Sequence, residues 1–433
     1  MPESRALWLL FGLFGALPAC GADPNGPDTA AAGSSGSAAV AGGSGGGAES
    51  AAAAGAVSGG TAGSAPSVGG TAGSGGQAQD DCTTAPQSLL CDPLQPMPKT
   101  LAATGVFPAA PDFSQHSQRL LGFTPFPALW SDGLEKQRFL LLPSGKQIDN
   151  QNPKAWVFPV GTLLFKTFFD DSGVAGAARP IETRVIRRVG TETDFTEYDY
   201  YLYQWNQAGT DADLVVDDRN GDSQATAQVK ITINRMQDGK PFSLNAGQPF
   251  DHTLPSRDNC ADCHHENGVA FQTFIGFDEL RLNHKLTAAS AKTQLEEFQA
   301  AGVFTQAPPA APRSIVESDP TLRQVKEFVL GNCVHCHNEK GRVFDMAPEV
   351  FVANTVNQAT SAQSVHPPAG WFRVTPGQPE MSVLFVQARR TPLPEPTMAG
   401  DNRLRPMPPI GVNDLTPDEA GLTAIEAWIK SLK

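Results

Sequence analysis

Seven cysteines punctuate the chain, and four of them fall into two copies of one pattern. Cys260-Ala261-Asp262-Cys263-His264 and Cys333-Val334-His335-Cys336-His337 both read C-x-x-C-H, the attachment signature of c-type haem. The chemistry explains the spacing. Two thiols about one helical turn apart can each add to a vinyl group of the same porphyrin, and the histidine after the second thiol presents its imidazole to the iron. Two covalently held haems are therefore expected on Cys260, Cys263, Cys333 and Cys336, with His264 and His337 as iron ligands. Beside a given cysteine the pattern arises by chance on the order of 10⁻³ to 10⁻⁴, so two copies are hard to obtain by accident. A zinc site drawing on His265 or His335, or a redox dithiol, would use the same residues. The dithiol would sit near a βαβ pattern, and the sequence shows none.

Each iron also needs a ligand on its far side. For the second haem Met407 stands out, in the stiff run Arg405-Pro406-Met407-Pro408-Pro409-Ile410-Gly411 just before the last helix. This run looks like the methionine loop of class I cytochromes c, where His/Met ligation raises the potential. Met407 could instead fill a gap in the core, and Met346, Met381 and Met398 are the other sulfurs within reach by sequence. For the first haem Met236, His252, His265 and His284 stay open, as does an unliganded iron.

The elements that must position these residues differ between the two motifs. From Arg138 to Ile233 the chain alternates and is rich in β-branched and aromatic residues. Expected strands are Arg138–Leu142, Ala155–Val157, Thr162–Phe169, Ile181–Val189, Tyr198–Trp205, Asp213–Asp217 and Gln228–Ile233, with Gly, Pro, Asn and Asp between them. This reads as antiparallel β, a sandwich or partly closed barrel. The first motif follows an extended stretch, Phe250–Asn259, and so is expected to hang from the edge of that domain. A helix over 288–301 follows, and then a Pro/Ala linker. Around the second motif the period changes. Ser318 can cap a helix with Pro320 in its first turn and Leu322, Val325, Phe328 and Val329 along it. A closing helix from Thr416-Pro417-Asp418-Glu419 carries Leu422, Ile425, Trp428 and Ile429 on one face. The expected architecture is multidomain: a β-rich domain over 82–305 with the first haem, then a small all-α cytochrome c-like domain over 313–433 with the second.

The chain has 433 residues, but the first eighty are not globular material. Arg5 and the apolar run after it read as a secretory signal over 1–20, too short to span a membrane. It ends in Leu17-Pro18-Ala19-Cys20, which resembles a bacterial lipobox and implies lipidation of Cys20. Residues 21–81 are nearly all Gly, Ala and Ser and cannot bury enough apolar surface to order themselves. As a tether they reach about 40 Å, from roughly 5–6 Å × √n. Cys82 and Cys91 lie close together and are expected to form a short-loop disulfide, which an exported setting permits. The formal charge is −13 (32 Lys and Arg against 45 Asp and Glu), with no basic cluster. Nucleic acid is thereby excluded as a partner, and so is electrostatic binding to an anionic membrane surface.

From Lys99 to Lys433 the chain resembles a family of exported diheme c-type cytochromes of Gram-negative bacteria. Besides the two motifs, the resemblance is carried by Leu101-Ala102-Ala103-Thr104-Gly105-Val106-Phe107, Leu129-Trp130-Ser131-Asp132, Phe158-Pro159-Val160-Gly161-Thr162, Leu254-Pro255-Ser256-Arg257-Asp258-Asn259 and Leu282-Asn283. It implies a β-rich part bearing one haem and a C-terminal cytochrome c unit bearing the other, and no substrate. The expected function is electron transfer between redox partners outside the cytoplasm, in the periplasm or at the outer membrane, with the membrane reached through the lipid anchor. Two alternatives use the same residues. One is a haem enzyme, peroxidase-like or acting on a small molecule, with an open first iron. The other is a binding lipoprotein whose cytochrome unit docks a redox enzyme.

Overall fold

The computed structural model of the chain describes residues 82, 88–107, 116–117, 119–173, 177–190, 197–220, 228–237, 239–264, 274–307, 309–339, 344–360, 367–390, 406–408 and 417–433. The expected signal, Cys20 and the tether up to residue 81 lie outside the described residues.

Six strands form one antiparallel meander: β1 (Leu120–Gly122), β2 (Glu135–Leu141), β3 (Leu163–Asp170), β4 (Arg179–Arg188), β5 (Tyr198–Trp205) and β6 (Ala212–Asp217). Every residue of β3 except Lys166 is buried, so this strand is covered on both sides. On one face Phe139, Phe165, Val185 and Tyr201 pack under the N-terminal segment through Leu89, Leu101 and Phe107. On the other, Leu140, Leu164, Ile186 and Tyr200 pack against Phe274, Phe277, Phe298 and their neighbours. Residue 155–157 makes no strand. Val157 bridges Asp149 alone, while Trp156 turns into the second core.

Neither the sandwich nor the barrel forms. Among the described residues β1 and β6 do not pair, so the sheet stays open. Its second layer is built from helices and two ribbons, β7 (Gln228–Ile231) with β10 (Phe250–Thr253) and β8 (Asn234–Gln237) with β9 (Lys240–Ser243). These four-residue strands are too short to make a facing sheet. They cap one end of the large sheet through Ile231 and Ile233 on Leu134, Phe168 and Ile181.

Helix α1 (Arg257–His264) follows β10 after three residues, so the extended stretch before the first motif is shorter than expected. After α2 (Glu279–Leu282), α3 spans Gln294–Ala300, and a reciprocal cap between Thr293 and Glu296 sets its start well inside the predicted 288–301.

From 313 onward the described elements are helical: α4 (Pro320–Asn332), α5 (Phe351–Thr355), α6 (Val383–Ala388) and α7 (Glu419–Ser431). Asp319, rather than Ser318, caps α4, because its carboxylate accepts from Thr321 N at 2.8 Å. The predicted face of α7, Leu422, Ile425, Trp428 and Ile429, packs on Val325, Phe328 and Val329 of α4. Gly421 permits the crossing: a Cβ there would lie inside the Phe328 ring. A complete cytochrome-like domain is not evident. Between α4 and α7 the described residues hold only short helices and two isolated parallel bridges.

Candidate haem-attachment site

The first motif is held by a helix seated on the sheet. Ser256 and Asn259 exchange hydrogen bonds at the start of α1, with Asn259 Oδ1 accepting from Ser256 N at 3.1 Å and Ser256 Oγ from Asn259 N at 3.2 Å. Ala261 is fully buried in the core formed with Leu164, Ile186 and Tyr200. The motif thus rests on the face of the sheet and does not hang from its edge. The small Ala261 side chain lets α1 approach closely. Cys260 and Cys263, three apart on a helix, share one side.

The second motif is a tight turn at the end of α4. Cys333 O accepts from Cys336 N at 3.0 Å and from His337 N at 2.8 Å, and Asn338 Nδ2 donates to Val334 O at 3.1 Å. The His337 ring meets Phe344 edge-on at 5.1 Å, and Arg373 lies 3.7 Å over that same Phe344. Burial pushes the His337 imidazole down to about 4, so it stays neutral and able to ligate a metal. Its Nδ1 and that of His335 are buried without a hydrogen-bond partner.

The fold brings the two motifs together. The Cys263 thiol hydrogen-bonds with Cys336 and with His335. That approach depends on the joint between the β-rich part and α4. Arg281 on α2 donates to Leu330 O at 2.6 Å and pairs with Asp278 at 2.7 Å. Asn332 Oδ1 accepts from Trp130 N at 2.9 Å, and Asn283 Nδ2 donates to Arg313 O at 3.1 Å. Two stretches that the resemblance rested on, 129–132 and 282–283, are therefore parts of this joint.

All four motif cysteines are free and half-buried. Burial raises Cys260 to about 11 and Cys333 to about 12. Cys263 is raised too, first by its bond with Cys336 and then by burial. A pair of unoxidised, partly accessible thiols beside a histidine in each motif fits covalent attachment of a porphyrin. Among the described residues no three His, Cys, Asp or Glu gather to hold a bare metal ion. A c-type haem needs no such cluster, because its iron arrives already held by the porphyrin.

Beneath the first motif lies a group that the sequence reading did not anticipate. Arg138, Lys166 and Arg184 stand opposite one another on β2, β3 and β4, on the face that bears α1. Arg184 is paired bidentately with Glu182 at 3.0 and 2.5 Å, and His252 Nε2 meets the same carboxylate at 3.0 Å. Burial alone would raise Glu182, but Arg184 and His252 outweigh it and hold the carboxyl at about 2. Lys166 is pulled well below the lysine range by burial and by Arg138 and Arg184, and burial takes Arg138 down to about 10. Lys166 lies within electrostatic range of both Cys260 and Cys263. The readable signal was the lone lysine in Leu163-Leu164-Phe165-Lys166-Thr167-Phe168-Phe169, a charge at an inward position of an apolar strand.

The structure also sorts the candidate sixth ligands. Met236 is 63% exposed. His284 has both ring nitrogens engaged, Nδ1 with Arg281 O and Nε2 with Gln294. His252 is buried on Glu182. Met346 is buried in the core around Trp428, and Met381 is half-buried, with its methyl near Gly370. Met407 is half-buried, and its backbone is pinned: Met407 N donates to Gln387 O at 3.0 Å, and Arg390 donates to Pro408 O at 2.7 Å. His265 and Met398 lie outside the described residues. Cys82 and Cys91 are joined in a disulfide with Cα atoms 5.6 Å apart. No described helix is long and apolar enough to cross a membrane. Set against models of known protein families, characterised proteins and solved structures, the chain matches none of them.

Proposed function

We propose that this chain is an exported diheme c-type cytochrome, anchored through Cys20 at the periplasm or outer membrane, that passes single electrons between redox proteins. The observation that carries the reading is the meeting of the two C-x-x-C-H motifs at Cys263 and Cys336, although they lie far apart in sequence. A thiol pair evolved only for local redox chemistry has no need of a second identical motif against it. Two haem-attachment motifs in contact make a route for electrons.

In this reading Cys260 and Cys263 hold one haem with His264 as iron ligand, and Cys333 and Cys336 hold the other with His337. Bound haem supplies a reversible one-electron couple at each iron. The chain's own residues do the rest. The α4 end and the Cys333 turn orient His337, Phe344 and Arg373 fix its ring, and burial keeps it neutral. The part from 313 onward is read as a unit similar to a class I cytochrome c, with α4 leading into its motif and α7 crossing it at Gly421. The pinned backbone at Met407 suits a loop that presents a thioether as sixth ligand.

The test is the absorption spectrum of protein matured in a haem-attaching host, reduced with dithionite, before and after CO. Two haems per chain, no CO shift and a bisignate Soret circular dichroism signal from adjacent porphyrins are expected. A CO shift in half the haem would replace electron transfer by an enzyme with an open iron. Absence of covalent haem would end the reading.

A further inference from the structure

On the face of the sheet that bears α1, Arg138 of β2 and Arg184 of β4 stand directly opposite Lys166 of β3, and Lys136 lies two residues from Arg138 along β2. Like charges directly opposite in a sheet repel, and each loses hydration when enclosed. Most groups in this patch have their charge fixed. Arg184 is paired with Glu182, and His252 of β10 shares that carboxylate, which stays ionised at about 2. Arg138, lowered by burial to about 10, keeps its proton near neutrality. Lys136 donates to Leu129 O at 2.6 Å, and Asp132 draws its charge back against the repulsion of the row. Asp418 at the start of α7 lies within its electrostatic range as well.

Lys166 differs. It makes no side-chain hydrogen bond or ion pair with any described residue, and its Nζ rests 4.7 Å from the Phe168 ring, which the Arg184 guanidinium also covers at 4.3 Å. Enclosure first, and then Arg138 and Arg184, disfavour its ammonium, while Glu182 and Cys263 favour it. A lysine can answer such a conflict by losing its proton, which an arginine cannot do. We propose that Lys166 couples proton binding to the oxidation state of the first haem, taking up one proton as the iron is reduced and releasing one as it is oxidised. This rests on the diheme reading. Lys166 lies within electrostatic range of Cys260 and Cys263, the two points that would fix that haem beside it. Electron entry makes the site one charge less positive, which favours the ammonium. The step balances: the electron comes from the redox partner, the proton from water, and the lone pair of the amine receives it.

The experiment counts haems and then measures both midpoint potentials of the holoprotein by spectroelectrochemistry from about pH 5 to about pH 10, below the ordinary lysine value. In wild type one potential is expected to fall with rising pH between two plateaus. The plateaus should differ roughly threefold to tenfold in the reduction equilibrium, and tenfold corresponds to about 59 mV for one electron. The sign follows from the charge, since protonated lysine favours the reduced iron and neutral lysine does not. Lys166→Gln is neutral at every pH and should hold that potential flat at the lower plateau. Lys166→Arg keeps its charge and should hold it flat at the upper one. Damage to packing gives no reason for two variants to settle at opposite plateaus. Electrochemical reduction of weakly buffered wild type should also take up protons, read by a pH indicator. If one Lys166 variant fails to accumulate with two haems, the other carries the comparison, and the wild-type uptake stands apart from both. A wild type whose potentials do not change with pH would overturn the proposal. So would a slope that survives in Lys166→Gln, or one that is lost instead in Lys136→Gln or His252→Gln. Fewer than two haems in the wild type refutes the diheme reading itself, a distinct result.

Discussion

Gly421→Ala tests the packing that presents the second motif. Gly421 is the third residue of α7, and its N–H donates to Asp418 Oδ1 at 3.0 Å, a bond that alanine keeps. Helix propensity alone favours alanine by up to about 1 kcal/mol, and by less so close to the helix start. Against that, the new methyl would occupy the Phe328 ring, which is 8% exposed and hemmed in by Leu422 and Val325. Forcing a methyl into a filled core costs about 1–3 kcal/mol. The clash therefore wins, and a net loss of about 1–2 kcal/mol is expected, with a fall in Tm of a few degrees. The assay is thermal unfolding of Gly421→Ala, Phe328→Leu and the double variant. The ring's removal should relieve the methyl, giving a favourable coupling of about 1 kcal/mol in the cycle. A more stable Gly421→Ala with no coupling would mean that α4 and α7 do not cross there, and the account of how the second motif is held would fall with it.

Four further outcomes follow from the same contacts. Arg281→Met removes the donor to Leu330 O and strands Asp278, so it should cost about 2–4 kcal/mol and expose the 305–318 connection to limited proteolysis. Glu182 is held at about 2, well below the ordinary glutamate range near 4.5. Its contribution, on the order of 3 kcal/mol, is therefore complete above that unfolded value and is lost as pH falls from about 5 towards 2. Urea unfolding across that range should be steeper in pH for wild type than for Glu182→Gln. Replacing both Cys82 and Cys91 by serine should lower stability by no more than roughly 2–3 kcal/mol, the value for a loop this short, and leave the haem count unchanged. Met407→Ala should abolish the near-infrared charge-transfer band of methionine-ligated ferric haem and make that haem bind CO, whereas Met346→Leu should change neither.

Much of the β-rich part was legible because strand periodicity is local. Tyr198–Trp205 was placed to the residue, and its neighbours to within three. The covered face of α7 was legible for the same reason. Closure was not legible, because whether β1 and β6 pair depends on twist and register summed over six strands, and among the described residues they do not pair. Cap chemistry shifted the helix starts: Asp319 and Thr293 each outcompeted the residue that pattern alone would choose. The cation row escaped because Arg138, Lys166 and Arg184 are ordinary charged residues in three separate strands, and only register makes them neighbours. The meeting of Cys263 with Cys336 had no local signal at all.

That meeting also sets a hazard during maturation. Surroundings oxidising enough to join Cys82 to Cys91 can equally join Cys263 to Cys336, and such a bond would consume one attachment point from each motif. Thiolate is the species that oxidises, and Cys263, raised first by its bond with Cys336 and then by burial, is kept protonated. The same enclosure slows the addition of thiols to vinyl groups once the chain has closed. On the diheme reading, folding and haem loading would be in a race whose order matters: porphyrin would have to be attached while α1 and α4 are still apart, and their docking afterwards would seal the product.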